Sequence, residues 1–551
     1  MNYFRITLFS LVFCFSIYAQ DKKDDMIFHA MSDELQRNID SLHIPGWERP
    51  FFIQYAVQEG KIFQIQATMG ALTGVNEFSL SNMSVQTLVG NYQMSNINHN
   101  NSDYRTSGRN DIAPLDHDYD EIRRRLWLLT DQSYKSAIEA YSTKMAAIKR
   151  QNLPQEILDL PDFTPLPAVT YYGKSQPMND DDEYWKKLAR DCSSVFKKYP
   201  KIYGSNVGIE VYSGNIYSIN NEGTRLLHPV HLIVVAVNAF TKLEDGEEIN
   251  DRLTYYGWTK EDLPSAETIL RETDEMAAHI IDLSNASPIE ESYTGPVMVE
   301  GGALASFFTS HLLSQQTGLV AYRTPIRSGG IQKQMEDRLN RKVLSSDITV
   351  KSIPHTKEYN GVRLIGSYET DAEGVTPGEL LLIENGMLRT LMCDRVPKKK
   401  VKTPTGNRIY AYQPQNISTR VSAGVLSITT SNGKTDEELK EKLRSAAKEE
   451  GLDYAYIVRS LPNGRYHSIY KIMVSDGSEE LIRSGVLTNI GLNALKRSLG
   501  TSADVHVLNM LAGGVPISVI SPAAMVVEEV DIEKRNMQNT TKLPTVSNPL
   551  E

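Results

Sequence analysis

Two histidines three residues apart are the first feature of the sequence that could support chemistry, because a pair of imidazoles can bind a metal ion. His228 and His231 have this spacing, within a run of residues that predicts a β-strand. Side chains three positions apart on a strand point to opposite faces. The two imidazoles are therefore expected to diverge, and the spacing favours structural histidines over a metal site.

A third histidine lies in an acidic segment. His117 has Asp116, Asp118 and Asp120 as neighbours, and a run of residues with helical periodicity follows. Carboxylates at the start of a helix cap free backbone N–H groups and complement the helix dipole. We interpret these residues as a helix N-terminus rather than as ligands of a metal ion.

The sequence lacks the motifs of the common enzyme classes. It contains no Gly-x-x-x-x-Gly-Lys-Ser/Thr loop, no nucleophile elbow, no Cys-x-x-Cys pair and no His-Glu-x-x-His. Two cysteines follow position 19, Cys192 in a predicted helix and Cys393 at the end of a predicted strand, and we expect both to fill apolar space. The three lysines at positions 398–400 are interpreted as a solvent-exposed loop.

Composition limits the class of protein. Of the 551 residues 40% are hydrophobic and 23% are charged, which is typical of a globular chain with two or three domains. The 68 acidic and 58 basic residues give a net charge of −10. Because this charge repels a phosphate backbone, the sequence offers no electrostatic case for a nucleic-acid partner.

Hydrophobic periodicity predicts an N-terminal α/β domain over residues 20–290. Its strands are predicted to form antiparallel sheets, and a tight turn at residues 58–60 is expected to join the first two strands. Prolines concentrated at 152–180 predict a linker or a surface crossover. The predicted helices cover 26–42, 116–151, 183–199 and 265–283, and the predicted strands cover 51–57, 62–68, 83–92, 207–212, 216–220, 232–240 and 250–256.

A sheet-dominated, barrel-like C-terminal domain is predicted over residues 291–535. A short apolar strand at 296–300 leads into a helix at 302–314, and Asn385-Gly386 favours a tight hairpin between 380–383 and 387–392. One amphipathic helix at 436–450 interrupts the strands, and 536–551 is a peripheral tail. The predicted fold class is therefore α+β.

The N-terminus resembles a secretory signal. An arginine near the start, an apolar run from position 6 to 18 and Ala19 before a charged stretch follow the order of such signals, so we predict cleavage after residues 1–19. The run is too short to span a membrane comfortably, and no later stretch reaches eighteen consecutive apolar residues. We expect an exported protein, periplasmic or extracellular, without stable membrane insertion after cleavage.

Several segments resemble the TldD/PmbA (TldD/TldE) family, whose members are described as metallopeptidases and, in older naming, as modulators of DNA gyrase. The resemblance covers most of the chain after the signal and is most specific in the C-terminal half, where the exported TldD-related subgroup is the nearest match. The segments that carry it are 293–300, 303–305, 366–367, 371–377, 382–388, 405–408 and 518–529, with a looser likeness at 49–52 and 90–92.

Active members of this family carry His-Glu-x-x-x-His on the helix after that strand, where two imidazoles bind zinc and the carboxylate accepts a proton from metal-bound water. Thr309, Ser310 and Ser314 occupy those positions here. A register that starts at His311 instead places Leu312 and Gln316 at the other two. Because neutral hydroxyls bind zinc weakly and are poor bases near neutral pH, we expect no metal site and no other cofactor.

The resemblance implies a non-catalytic peptide-binding or partner subunit of a proteolytic complex, either a homodimer or a heterodimer with a TldD-like paralogue. Two alternatives remain open: an active peptidase with a non-standard site that acts on unfolded peptides, and a periplasmic ligand-binding module. Helical phase places Ser310 and Ser314 on one face, toward a cavity, with Phe307 and Phe308 packed behind. The candidate peptide-binding residues are Glu300, Ser310, Ser314, Ser367 and Asn407.

Overall fold

The computed structural model describes residues 26–99, 108–151, 153–174, 181–315, 317–326, 335–464, 466–488 and 491–535. The predicted signal at 1–19 and the predicted tail at 536–551 lie outside these ranges. In the described residues, no helix combines the length and the apolar character that crossing a membrane requires.

The helices agree with the periodicity of the sequence. Capping side chains mark several helix starts: Asp118 accepts a hydrogen bond from the N–H of Glu121, and Thr435 and Glu438 form a reciprocal capping box. The helices are α1 (26–41), α2 (Tyr119–Arg150), α3 (Gln155–Leu158), α4 (Asp182–Ser194), α5 (Ala266–Asn285), α6 (Gly301–Leu312), α7 (Asp436–Glu449) and α8 (Leu492–Lys496).

The strands of the N-terminal half are β1 (Pro50–Thr68), β2 (Ala71–Val89), β3 (Arg109–Ile112), β4 (Thr170–Tyr172), β5 (Gly204–Asn220), β6 (Arg225–Lys242), β7 (Glu248–Gly257) and β8 (Ser287–Pro288). Those of the C-terminal half are β9 (Tyr293–Glu300), β10 (Ile348–Ser352), β11 (Glu358–Tyr359), β12 (Val362–Arg363), β13 (Leu380–Glu384), β14 (Met387–Leu388), β15 (Arg408–Ala411), β16 (Ser418–Val421), β17 (Val425–Thr430), β18 (Gly433–Lys434), β19 (Tyr454–Ser460), β20 (His467–Met473), β21 (Glu479–Arg483), β22 (Gly485–Thr488), β23 (Ser498–Ser502), β24 (Val505–Ala512), β25 (Val515–Pro522) and β26 (Ala524–Lys534).

The N-terminal half is one seven-stranded sheet with the order β3-β2-β1-β5-β6-β4, in which β7 also pairs with β6. Alternate side chains of β1 point to opposite faces of the sheet and pack in different apolar clusters. Tyr55 and Ile65 pack with the helices that cover one face, whereas Ala56 and Ile62 pack with side chains of the C-terminal domain. The sheet therefore separates a layer of helices from the second domain.

The predicted turn at residues 58–60 is wrong, because β1 runs straight through it. Gly60 lies opposite Gly214 of β5, and a Cβ added at Gly60 would come within 2.3 Å of the Ser213 carbonyl oxygen. Glycine is needed here for close approach of two backbones rather than for a turn. For the same reason the two predicted strands at 207–212 and 216–220 form the single strand β5.

Two large sheets and two two-stranded sheets, β11-β12 and β15-β16, form the C-terminal half. A six-stranded sheet has the order β14-β13-β10-β17-β25-β24, and a nine-stranded sheet has the order β18-β23-β26-β9-β19-β20-β21-β8 with β22 also paired to β26. Side chains of both sheets and of α6 share one large apolar core. The α+β class and the sheet-rich C-terminal half are thus confirmed.

The predicted hairpin at Asn385-Gly386 is also confirmed. Both residues have positive φ angles, 48° and 75°, and they join β13 to β14. Strand β14 is shorter than predicted, since it ends at Leu388.

The lysine segment 398–400 differs from its prediction. Lys398 is buried and forms an ion pair with Asp394, which also accepts a hydrogen bond from Arg408 at 2.7 Å. Lys399 is exposed and pairs with Glu156. A run of like charges predicts a solvated loop, but buried carboxylates nearby can draw one lysine into the core.

Candidate functional site

Helix α6 begins where β9 ends. Gly301 has a φ of 55°, and its N–H donates to the carbonyl oxygen of Ala523 at 2.7 Å, which fixes the turn from strand to helix. Ala303, Leu304, Phe308 and Leu312 are buried on one side of the helix. The helix is therefore held by its apolar side, and its other side is available to a cavity.

Three hydroxyl side chains stand at the positions where the sequence resemblance leads us to expect the zinc motif. Thr309 is buried and donates to the carbonyl oxygen of Ala305 at 2.8 Å. Ser310 is exposed and donates to the carbonyl oxygen of Phe307 at 3.0 Å. Ser314 lies just beyond the end of α6, where its Oγ is 2.9 Å from Oγ1 of Thr317. All three line one cavity of ≈ 560 Å³.

This space, which we call the α6 cavity, lies between the two domains. Its walls come from α6, from β7 of the N-terminal sheet and from β24 with the following turn. Phe308 packs in the core behind the helix, and the ring centroid of Phe307 lies 5.5 Å from that of His467, another cavity residue.

The residues at the motif positions do not fit zinc. None of the three offers an imidazole or a carboxylate, and the hydroxyl of Thr309 is already engaged within its own helix. Nδ1 of the neighbouring His311 lies 2.8 Å from the carbonyl oxygen of Phe307. Across the described ranges, no three His, Cys, Asp or Glu side chains gather where they could hold a metal ion.

Glu300 lies apart from the cavity. It ends β9, and its carboxylate accepts hydrogen bonds from Arg459, with Nε to Oε2 at 2.6 Å. Burial alone would lower the pKa of Arg459, but the hydrogen bond and the negative charges of Glu300 and Glu479 together raise it. The pair braces β9 against β19, which places Glu300 in a structural contact in this structure.

Ser367 and Asn407 lie elsewhere again. Ser367 lines a second cavity of ≈ 250 Å³ at the domain boundary, together with His228 and His231. Asn407 is buried and donates through Nδ2 to the hydroxyl of Tyr368 at 3.2 Å and to the carbonyl oxygen of Ser422 at 3.2 Å. Of the five candidate peptide-binding residues, the structure thus brings together Ser310 and Ser314.

The two histidines of β6 face different surroundings. Nε2 of His228 lies 3.1 Å from the carbonyl oxygen of Thr370, whereas His231 is buried, and burial lowers its pKa. Both nevertheless border the same cavity, together with Pro229 and Val230 between them. His117 precedes α2, as predicted, and Nε2 of His117 lies 3.7 Å from Oε2 of Glu59.

Sequence reasoning missed the strand beside the α6 cavity. Residues Leu508, Asn509, Met510, Leu511 and Ala512 of β24 line it, and β24 is the last strand of its sheet. The signal was present, since Gly513-Gly514 separates two apolar runs and favours a hairpin.

Known proteins share parts of this architecture. Residues 292–533 match the PmbA/TldA metallopeptidase C-terminal domain. No curated protein sequence matches the chain.

Three solved structures are similar. A protein of Thermotoga maritima described as a modulator of a DNA gyrase is 14% identical, covers 87% of this chain and 96% of its own, and has a TM-score of 0.54. TldE from Thermococcus kodakarensis is 13% identical, with coverages of 92% and 100% and a TM-score of 0.53. A protein of Bacteroides thetaiotaomicron, also described as a modulator of DNA gyrase, is 12% identical, with coverages of 93% and 99% and a TM-score of 0.56.

At these identities the structural likeness concerns the fold, and it extends over both halves of the chain. The sequence match covers the C-terminal domain, which contains β9, α6 and the hairpin at Asn385-Gly386. Together they assign residues 292–533 to the PmbA/TldA metallopeptidase C-terminal domain and give the chain the fold of the TldD/PmbA proteins.

Proposed function

We propose that this protein is a non-catalytic, peptide-binding subunit of a proteolytic complex. The observation that carries the proposal is the α6 cavity, where three hydroxyl side chains replace the family's zinc motif while an open strand edge lies alongside. Among its described residues the cavity gathers no cluster of side chains that could hold a metal ion, which argues against zinc-dependent hydrolysis, but its shape and its backbone groups can still bind a peptide.

The register of β24 decides which of its backbone groups face the cavity side. Asn509 pairs with Ser518 of β25, and the N–H of Ser518 donates away from β24, to the carbonyl oxygen of Gly424 at 2.9 Å. The two residues therefore form a non-hydrogen-bonded pair, so the N–H and C=O of Asn509 point away from β25.

Two prolines support this register. Leu511 lies opposite Pro516 and Val505 lies opposite Pro522, and proline has no N–H to donate to a neighbouring strand. Residues 505, 507, 509 and 511 thus share the orientation of Asn509. Among the described strands none pairs with this second edge of β24.

An extended peptide could pair with the edge of β24 that faces the cavity and so add one strand to the sheet. An extended peptide can hydrogen-bond to the outward N–H and C=O groups of a strand, while pockets accept its alternate side chains. Main-chain hydrogen bonds recognise any extended sequence, which suits a subunit that binds unfolded peptides. The hydroxyls of Ser310 and Ser314 would lie across the cavity from such a peptide.

Assembly is part of the same proposal. We infer that the protein pairs with a second copy or with a TldD-like paralogue that retains His-Glu-x-x-x-His, because a cavity without its own catalytic groups can complete the chamber of a catalytic partner. The fold it shares with TldE from Thermococcus kodakarensis supports this role. Export is inferred from the signal-like order of residues 1–19.

The test uses three labelled ten-residue peptides, each amidated at its C-terminus, with valine at alternate positions and glutamate, glutamine or lysine at the others. Fluorescence anisotropy should detect saturable binding of at least one of them. Leu511→Pro removes an outward N–H inside the cavity without removing a β24–β25 hydrogen bond, and it should weaken binding about tenfold.

Val505→Pro is the matched control, because it makes the same change on the same edge but outside the cavity. It should weaken binding much less than Leu511→Pro does, and both variants should keep the wild-type circular dichroism. Equal binding by Leu511→Pro, or no binding of any peptide, would contradict the proposed function.

A further inference from the structure

We propose that the peptide accepted by the α6 cavity is acidic, and that Arg252 and Arg420 bind its carboxylate side chains. This inference rests on the proposed function, since it names the class of peptide for the same site. Its support is independent of the strand edge and comes from the distribution of charge.

The charge of the cavity lining is opposite to that of the whole chain. Acidic residues outnumber basic ones by 68 to 58 over the sequence, yet no Asp or Glu is among the described residues that line the α6 cavity. Arg252 and Arg420 are both part of the lining. The cavity is therefore a cationic site in an acidic protein, which attracts a ligand of negative charge.

Arg252 is the first of the two cations. It lies on β7, is half-buried, and its Nε donates to Oγ1 of Thr254 at 3.2 Å. In the described part of the chain no carboxylate lies within 4.0 Å of its guanidinium nitrogens, whereas buried Arg395 and Arg408 each form an ion pair. A half-buried guanidinium without a carboxylate keeps several donors available to a ligand.

Arg420 is the second cation, at the end of the open strand. It lies on β16, and a Cβ added at Gly513 would come 2.9 Å from Cζ of Arg420. The glycine thus leaves room for the guanidinium to cross the turn that follows β24. No carboxylate of the described residues forms an ion pair with Arg420 either, so it too can bind a ligand.

The remaining polar groups of the lining are neutral. Ser306, Ser310, Ser314, Thr254 and Asn463 offer hydroxyl and amide groups. His467 also lines the cavity, and because burial lowers its pKa it carries no charge near neutral pH. The positive charge of the site therefore comes from the two guanidiniums alone.

The two arginines belong to different domains and line the same cavity as the open strand edge. An extended peptide with acidic side chains at alternate positions can present one carboxylate to each. A guanidinium can bind a carboxylate through two parallel hydrogen bonds. This contact is stronger and more selective than a contact between a guanidinium and a neutral amide.

The glutamate, glutamine and lysine peptides described above test this inference, since they differ only in charge. The glutamate peptide should bind about tenfold or more tightly than the glutamine peptide, and the lysine peptide should bind weakest. Raising the salt concentration should weaken binding of the glutamate peptide and leave the glutamine peptide nearly unchanged.

Substitution identifies the groups responsible. Arg252→Gln and Arg420→Gln should each weaken binding of the glutamate peptide about tenfold without changing binding of the glutamine peptide. Arg190→Gln is the control, because Arg190 is exposed on α4, outside the cavity, and it should change neither. Thermal unfolding should show all three variants folded.

The outcomes separate this inference from the proposed function. Equal affinity for the glutamate and glutamine peptides, or unchanged affinity in both cavity variants, would overturn the acidic preference and leave peptide binding intact. A glutamine peptide with a free C-terminus that alone binds tightly would show that the terminal carboxylate, not a side chain, is recognised, and would also overturn it. If none of the peptides binds, both proposals fail.

Discussion

At the scale of single residues, two groups of side chains decide what the α6 cavity can bind. Three hydroxyl side chains are poor zinc ligands, and two guanidiniums carry positive charge. Thr309, Ser310 and Ser314, which the sequence resemblance places at the positions of the zinc motif, line the cavity and provide neither strong ligands nor a base. Arg252 and Arg420 add positive charge that a zinc-binding site does not need. The lining therefore suits recognition of a peptide better than its hydrolysis.

The wild-type protein should contain far less than one equivalent of zinc, and replacing the three hydroxyls tests whether the cavity keeps the geometry of the family's site. We expect the triple variant Thr309→His, Ser310→Glu and Ser314→His to gain measurable zinc affinity. Because Thr309 is buried, its larger replacement should also lower the free energy of unfolding by about 1–3 kcal/mol.

Competition with a chromophoric chelator measures the zinc affinity, and thermal unfolding confirms that the variant is folded. A folded triple variant that binds no zinc would show that α6 no longer presents these positions to one centre. Stoichiometric zinc in the wild-type protein, removable with loss of peptidase activity, would contradict the account at the same positions.

A second prediction concerns a buried carboxylate. Burial raises the pKa of Asp251 to about 7, although the backbone N–H groups of Arg252 and Tyr466 partly offset this effect. An acid whose pKa is raised by folding holds its proton in the folded state, so its contribution to stability is present at low pH and is lost as the pH rises to about 7.

Asp251→Asn removes this titration and keeps an oxygen at the Oδ1 position to accept both hydrogen bonds. The variant should therefore gain stability relative to wild type between pH 4 and 7, reaching on the order of 1–4 kcal/mol and staying constant above. Denaturant unfolding at pH 4 to 8 measures the gain. A difference that does not change with pH would refute the raised pKa.

At the scale of elements, the structure depends on strands that pass very close to one another. β1 and β5 meet at Gly60 and Gly214, where an added Cβ at Gly60 would also lie 2.7 Å from the Gly214 Cα. Since both contacted atoms belong to the backbone, neither can move without disturbing the sheet.

Gly60→Ala should therefore lower the free energy of unfolding by about 2–3 kcal/mol. Gly208→Ala is the control in β5, because its added Cβ meets nothing closer than the side-chain nitrogen of Asn206 at 3.9 Å. Urea unfolding of the two variants should show a large loss for the first and little change for the second. Equal effects would show that the close approach is not what selects glycine at position 60.

The same strands show how far the sequence could predict the fold. Helical periodicity and capping residues located α2, α5 and α7 to within a few residues, because those signals are local. The predicted turn at Gly60 is wrong because a close contact between strands that are distant in sequence leaves no local signal. The apolar strand before α6 and the turn at Asn385-Gly386 could be predicted, because neighbouring residues in the sequence signal both of them.

The candidate site was only partly predictable. Ser310 and Ser314 line one cavity, although the predicted helix at 302–314 ends at Leu312 and Ser314 lies beyond it. Glu300 and Asn407 are instead engaged in contacts with residues distant in sequence. Arg252 and Arg420 come from strands of different domains, 168 positions apart by their numbers. Only the folded structure brings such residues together.

At the scale of the whole molecule, buried ion pairs join the two domains. Arg395 of the C-terminal half binds Glu222 at 2.7 Å and the carbonyl oxygen of Thr164, and Arg323 binds Asp162 at 3.1 Å. Since separating such partners would leave buried charges unpaired, the domains are expected to remain docked while a ligand enters the cavity between them.

Assembly gives a prediction at this scale. We expect a homodimer, or a heterodimer with a TldD-like paralogue that retains the zinc motif, burying well over roughly 1,000 Å². Light scattering at micromolar concentration should give the mass of two chains, for the protein alone or mixed with the paralogue. A strictly monomeric species in both samples would count heavily against a partner role.

The central claim is that the α6 cavity binds extended peptides without cleaving them, and one measurement tests it most directly. The purified protein is equilibrated with the amidated glutamate peptide across a dialysis membrane, and the peptide in both compartments is then quantified by mass spectrometry. We expect an excess of intact peptide on the protein side, and we expect this excess to be lost in Leu511→Pro. Peptide fragments formed by the protein alone, and suppressed by a metal chelator, would contradict it.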